Sequence, residues 1–504
     1  MARLLAVGAL LAPAAESAGC GFEPTRLRVN NLENPLGTPL DGKAVFSWGL
    51  VATESPPPKG AAQSAYRIEC SSKGAGGAAD LWDSGKVESS ESLQVPYGGK
   101  ALKPSQLVHW TVSVWSGAEA CGAASGTFET ALAAGEAGWA GSEWLARFPQ
   151  SPLNATSCDL YDDESERNEA PRFRSEVSVP ATITAARAYI VGLGYYQLFV
   201  DGKRIGTSRL DPGWTTYDKT VLYAVHDVTA ELTSGKHAVG VELGNGWWNP
   251  MTLKMWGATD VRKALTTSQG RGNGTTTEPM FRLKVVATMS DGTQKTILSS
   301  STQTGAWLAG GSPTTFNNIY LGEHYDARKE DPAGPSAWSM PGFDASSWTK
   351  AVVAGSPSTL SLGALSPQSV PPIRRQGILS TTVVSKAIPT APGSANSTIV
   401  LDTGKNHAGV CRFRLQGKAG DKIVMRYVRH DTFFCRKVAR LTSVPTSLTR
   451  IALARGNCCR RTANLSTRRP ASPVRSKARP RTPASKTPAE VSALGGTSPF
   501  NPTR

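Results

Sequence analysis

Between Tyr189 and Asn249 apolar and polar residues alternate in short bursts, and the turn segments VDGK, DPG, TSGK and GNG part the bursts. A period of two puts alternate side chains on opposite faces of a strand, while Gly, Pro, Asn and Asp supply the turns. The pattern predicts an antiparallel β-sandwich over residues 171–355, with strands RFRSEVSV, RAYIVGLG, YQLFVDGK, TVLYAVHDV, HAVGVELG and MFRLKVVATM. Asp201-Gly202 and Asp291-Gly292 each sit between two such runs and predict hairpin turns. The segment from Lys254 to Arg271, rich in Gly, Thr and Ser, reads as a long exposed insertion. Upstream, AVFSWGL, SAYRIEC, LWDSGKV, SLQVPYG, VHWTVSVW and GTFET predict another all-β domain over residues 20–135. Trp110, Val112 and Val114 share one face there, and with Trp48 they are expected core. Residues 136–170 read as a connector whose Trp139 and Trp144 dock on a neighbouring domain, with a solvated acidic loop at 161–169. Residues 356–435 begin a third β unit. The fold class is all-β, in tandem antiparallel sandwiches.

Charge changes this picture only at one end. The chain of 504 residues carries a net charge of +16. From Arg436 to Arg504 there are fifteen Lys and Arg and one acid, Glu490, so +14 of that charge lies in the tail. The remaining +2 leaves the body nearly neutral, so any salt-sensitive association with nucleic acid would fall to the tail. No aromatic residue occurs between Phe434 and Phe500, so the tail has neither core-forming side chains nor stacking platforms for bases. Residues 436–504 are expected to be disordered, as a functional basic tail or as an out-of-frame extension. Residues 1–19 read as a secretory signal: Arg3, the apolar run LLAVGALLAPAA, then small residues before Cys20. The run is short for a membrane span, and the expected location is extracellular. Export permits a disulfide between Cys70 and Cys121; two unpaired buried cysteines are the equal alternative. Asn154, Asn273 and Asn396 stand in glycosylation tripeptides.

Several motifs resemble one family. The segments LGYYQLFVDGKRIG, LDPGWTTYD, YAVHDVTAELTSGKHAVGVELGNGWW, FNNIYLGEHYDAR and LDTGKNHAGVCRFRLQGKAGDKIVMRY are similar to the amino-terminal accessory β-domains of bacterial-type α-L-rhamnosidases. Lys405 and Arg429 stand where that pattern usually has Gln and Glu, and the likeness stops near Asp431. The order of motifs in residues 24–132 resembles the fibronectin type III-like domain that opens many secreted members. The resemblance implies a jelly-roll or galactose-binding-like second sandwich, followed by a truncated β domain. It also implies an inverting glycosidase whose two carboxylates lie on a helical (α/α)6 barrel downstream.

No segment of this chain has the long helical pattern to host such a pair, so no catalytic residue is named and the chain alone is expected to be inactive. Glu323 and Asp326 read as junction salt-bridge or turn residues. The histidines lack metal spacing, and no GxSxG elbow or P-loop occurs. What the resemblance does imply is sugar binding by the second sandwich, toward rhamnose-containing glycans or glycosides. Asp201, Trp214, Asn245, Trp247, Trp248 and Asn249 are the expected carbohydrate ligands, with Asp211 and Tyr217 on the same loops. Aromatic faces suit the apolar side of a sugar ring and amides suit its hydroxyls. Asp201 and Asn249 are the expected oxygen ligands of a calcium ion. The alternative is that the tryptophans cover the sandwich edge and the asparagines build turns.

Overall fold

A computed structural model describes residues 20–40, 44–55, 62–74, 76–149, 169–249, 254–255, 259–260, 278–303, 306–319, 322–356, 360, 362–389, 397–410, 412, 421–429 and 437–444. The expected signal at 1–19, residues 161–168 of the acidic loop, the asparagines of the three glycosylation tripeptides and residues 445–504 of the tail lie outside the described residues, while Glu169, expected in a solvated loop, is buried and paired with Arg147 at 2.8 Å. Among the described residues the only helices are short 3-10 turns, at Gly135–Ala137, Ala327–Lys329 and Ala337–Ser339. None is long and apolar enough to cross a membrane. The chain divides into two units, Met1–Arg374 and Arg375–Arg504.

The first domain packs the Phe22–Val29, Val45–Ala52 and Val95–Pro96 strands against a sheet built around Leu107–Ser116. Phe46, Trp48, Ile68, Trp110, Val112, Val114 and Phe128 meet between the layers, as the alternation predicts. The disulfide joins Cys20 to Cys121, with Cα atoms 5.3 Å apart, and Cys70 is a buried thiol. This corrects the Cys70–Cys121 expectation, and strand register explains it. Cys70 lies across from Trp110, whose other neighbour is Gly126, so Cys121 is five residues farther along a second strand. That is far beyond the roughly 7 Å Cα limit of a disulfide. Burial pushes the Cys70 thiol up to about 12.

The second sandwich has a seven-stranded and a six-stranded sheet. Ala188, Ile190, Phe281, Leu283 and Val285 of the first face Phe173, Leu198, Val239, Val241 and Leu243 of the second. On the opposite face of the seven-stranded sheet, Tyr189, Val191 and Leu193 meet Trp139, Trp144, Tyr223 and Trp248. The Ile183–Leu193 strand is thus buried on both sides, which explains why its sequence is almost continuously apolar. Trp139 and Trp144, expected to dock on a neighbouring domain, supply part of that cover. Trp144–Ala146 is a strand of the sheet itself, paired with Met280–Met289 and Val352–Gly355. Downstream, Ala364–Pro367 pairs parallel to Thr220–Asp227, so the sandwich extends past the expected boundary at 355.

The two domains of the first unit share a polar junction. Arg187 Nε donates to Glu129 at 2.8 Å, Tyr189 Oη donates to Ser105 Oγ at 2.8 Å, and Gln294 Nε2 donates to the Ser105 carbonyl at 2.8 Å. Gly37, at φ +84°, lies so close that a methyl group there would stand 2.8 Å from Val225 Cγ2. The second unit is a four-stranded sheet ordered Thr382–Pro389, Ser397–Asp402, Lys437–Val444 and Lys422–Arg429. The Lys437–Val444 strand corrects the expectation of disorder from residue 436: KVARLTSV is rich in β-formers and has strand partners on both sides.

Candidate functional site

The Tyr195–Val200 strand runs antiparallel to Gly235–Gly244, with Tyr195 opposite Gly244 and Val200 opposite Val239. Past Gly244 the chain turns through Asn245 to Asn249. Gly194 packs so tightly under this turn that a Cβ there would come within 2.2 Å of the Asn245 carbonyl oxygen. Asn245, 3% exposed, organises the turn. Its amide Nδ2 donates to the Asn317 carbonyl at 2.9 Å, its backbone N–H donates to Asn317 Oδ1 at 2.7 Å, and its Oδ1 accepts from Asn249 Nδ2 at 2.9 Å. These asparagines therefore frame the loop rather than project from it.

The DPGWTTY loop joins the same end. Tyr196 N–H donates to the Asp211 carbonyl at 3.0 Å. Two residues after Pro212 comes Trp214, 56% exposed, whose ring lies 5.3 Å from that of Trp247 at 38°. Trp247 is half-buried. Trp248, its neighbour in sequence, turns the other way: it is 1% exposed, donates to the Glu278 carbonyl at 3.2 Å and meets Tyr217 edge-on at 5.4 Å. The loops thus present one fixed aromatic surface, Trp214 with Trp247, above a buried amide frame. Trp248 and Tyr217 are core.

Asp201 is elsewhere. It sits at the Val200 end of the strand, about 20 Å of extended chain from the Asn245 turn. Its carboxylate accepts from Ala238 N–H at 2.8 Å and from His237 Nδ1 at 2.6 Å. Asp201 and Asn249 therefore do not fit a shared calcium ion, whose oxygen ligands must all lie about 2.3–2.6 Å from one centre. The strand register, invisible in the local motifs, separates them.

Around Tyr196 is a buried polar cluster. Tyr196 Oη and His226 Nε2 are 2.7 Å apart. Burial, then the nearby Arg204 charge, pushes His226 down to about 4, so the imidazole is neutral. Asp211 is 6% exposed, and burial holds its carboxyl above the usual carboxylate range despite hydrogen bonds from Ser208 and Gln368. On the outer side of the same sheet, Glu323 is raised by desolvation and by Glu242, while Glu242 accepts from Arg172 Nε at 2.5 Å. Asp326 caps the 3-10 turn Ala327–Lys329 and pairs with Arg328 at 2.7 Å, the turn role expected of it. No group of three or more His, Cys, Asp or Glu suited to a metal occurs among the described residues. Asn317 and Gln368 join the site from distant segments, and no local pattern marks them.

Residues 24–134 match the family described as Rha78A-like, N-terminal immunoglobulin domain. Residues 181–377 match the α-L-rhamnosidase N-terminal domain. An α-L-rhamnosidase of Formosa agariphila is 30% identical over 415 residues, which are 79% of this chain and 39% of that protein. The structure of α-L-rhamnosidase from "Dictyoglumus thermophilum" aligns with a TM-score of 0.57 at 32% identity, covering 76% of this chain and 39% of that one. The Streptomyces avermitilis α-L-rhamnosidase complexed with L-rhamnose shares the fold, with a TM-score of 0.62 at 21% identity, over 82% of this chain and 51% of that one. The chain spans about two fifths of the length of curated relatives such as the Formosa agariphila α-L-rhamnosidase. Through its immunoglobulin-like domain and the sandwich that follows, the chain belongs to the amino-terminal region of the α-L-rhamnosidase family.

Proposed function

We propose that the second sandwich is a carbohydrate-recognition module that presents rhamnose-bearing glycans or glycosides to an α-L-rhamnosidase. The observation that carries the reading is Trp214: a large aromatic ring held open to solvent against Trp247, on loops fixed by a buried amide network. A fixed aromatic face offers apolar contact to a sugar ring without an ordering cost at binding. The rhamnose complex of the Streptomyces relative supports the choice of sugar.

Hydrolysis itself we assign to carboxylates outside the described residues. Inverting cleavage needs an acid and a base about 6.5–9.5 Å apart across the scissile bond. Glu242 is held by Arg172 and Asp326 by Arg328. A calcium ion at the Trp214 end would draw on the Asn249 amide oxygen and backbone carbonyls, with Asp201 excluded. We also propose export, which the Cys20–Cys121 disulfide supports.

Calorimetry with L-rhamnose, in calcium and in chelator, tests the reading. Saturable heat whose affinity Trp214→Ala weakens supports it; flat titrations of the folded wild-type chain with rhamnose and rhamnosylated oligosaccharides sink it. The same protein should release no nitrophenol from a nitrophenyl α-L-rhamnoside.

A further inference from the structure

The turn that carries Trp214 is gripped from a segment more than 150 residues downstream. The Ala364–Pro367 strand lies parallel to Thr220–Asp227, Tyr223 opposite Pro367, and ends beside the turn. The next residue, Gln368, is anchored there by its own N–H, which donates to the Tyr223 carbonyl at 2.9 Å. Its side chain then spans the turn. Oε1 accepts from Gly213 N–H at 3.0 Å, and the amide also bonds the Asp211 carboxylate and the Val370 carbonyl, the latter at 3.3 Å. Farther on, Ile373 and Arg374 pair with Arg209 and Ser208 on the approach to the turn.

The chemistry of the turn explains the need for this grip. Pro212 has no N–H to give, so the turn cannot close on itself at that position. Gly213 N–H, the last donor before Trp214, takes its acceptor from Gln368. Asp211 is buried and needs donors, which Ser208 and Gln368 supply. One primary amide meets both demands because it carries an acceptor and a donor side by side. The Trp214 ring is largely exposed and is set beside Trp247, so its placement depends on the backbone below it.

We propose that Gln368 is the positioning residue of the aromatic surface: it holds the Asp211–Trp214 turn so that Trp214 stands against Trp247 and sets the affinity for sugar. The proposal rests on the carbohydrate-recognition reading, and the experiment separates the two. The full chain is labelled with 5-fluorotryptophan, and the Trp214 fluorine line is assigned by its loss in Trp214→Phe. Gln368→Leu should move or broaden that line, leave lines of tryptophans in the first domain in place, and weaken L-rhamnose binding about tenfold, the loss of roughly one well-made hydrogen bond. Gln368→Glu keeps the acceptor but sets a second carboxylate against Asp211. It should behave as wild type in acid, where the new carboxyl keeps a proton to donate, and lose the Trp214 line position and affinity as pH rises toward neutrality. An unchanged Trp214 line in Gln368→Leu, or no pH dependence in Gln368→Glu, overturns the proposal. If the wild-type chain binds no rhamnose, the recognition reading fails, and the fluorine line alone decides whether Gln368 positions the ring.

Discussion

The two ends of the Tyr195–Val200 strand use similar residue types for opposite purposes. At the Val200 end, Asp201 and Gly202 make the hairpin turn, and everything polar is satisfied internally. Asp201 accepts from His237 and Ala238, His237 Nε2 meets the Thr233 carbonyl at 2.8 Å, and Gly202 N–H donates to Ser339. At the Tyr195 end, Asn245, Asn249 and Asn317 are equally satisfied, but the loops leave Trp214 outside. A closed turn stabilises; a closed frame bearing an open ring is where we propose that sugar binds. The lesson is that polar residues at both ends look alike in sequence, and only the aromatic left uncovered marks the proposed site.

That contrast can be broken by substitution. The largest effect is expected from Asn245→Ala, which removes two side-chain hydrogen bonds, one buried and one part-buried, and strands their partners. It should cost about 2–4 kcal/mol in denaturant unfolding and abolish rhamnose binding as well. Asp201→Ala should cost about 2–3 kcal/mol by the same measure, since a carboxylate with two acceptor bonds is lost, while calorimetry finds the wild-type affinity. A loss of affinity equal to that of Trp214→Ala would put Asp201 back in the site. Trp214→Ala should do the reverse: no change in melting temperature, and affinity down by about 1–2 kcal/mol, in line with the worth of an aromatic contact.

Two smaller effects follow from titration. The folded protein holds His226 at about 4, below its ordinary 6.5, so the neutral ring favours the fold. This contribution is complete above the ordinary value and is lost as pH falls from about 6.5 toward about 4. The melting temperature should drop across that window in wild type and less steeply in His226→Gln; parallel curves would remove the Tyr196–His226 pair from the account. Glu323 is shifted the other way, so the fold favours its protonated form and loses that preference as pH rises through the raised value. Glu323→Gln should raise the melting temperature slightly near neutrality, with the gain vanishing in acid.

Much of the architecture was legible in the chain. The Asp201-Gly202 and Asp291-Gly292 hairpins stand where the dipeptides predict, because few other residues tolerate those backbone angles. Trp110, Val112 and Val114 are core because alternation allows one buried face. Trp144–Ala146 was missed, since three residues are too few to show a period. Trp247 and Trp248 were indistinguishable by type, and opposite sides of one turn decided their fates.

The amino-acid sequence by itself determined the all-β class, the order of the sandwiches and their family. These depend on local periodicity and turn chemistry, which neighbouring residues express. Only the tertiary structure decided that Asp201 and Asn249 stand at opposite ends of a sheet, that Cys20 rather than Cys70 meets Cys121, and that Asn317 and Gln368 complete the Trp214 frame. Each of these rests on strand register and on pairing between distant segments, where a separation of many residues becomes one hydrogen bond.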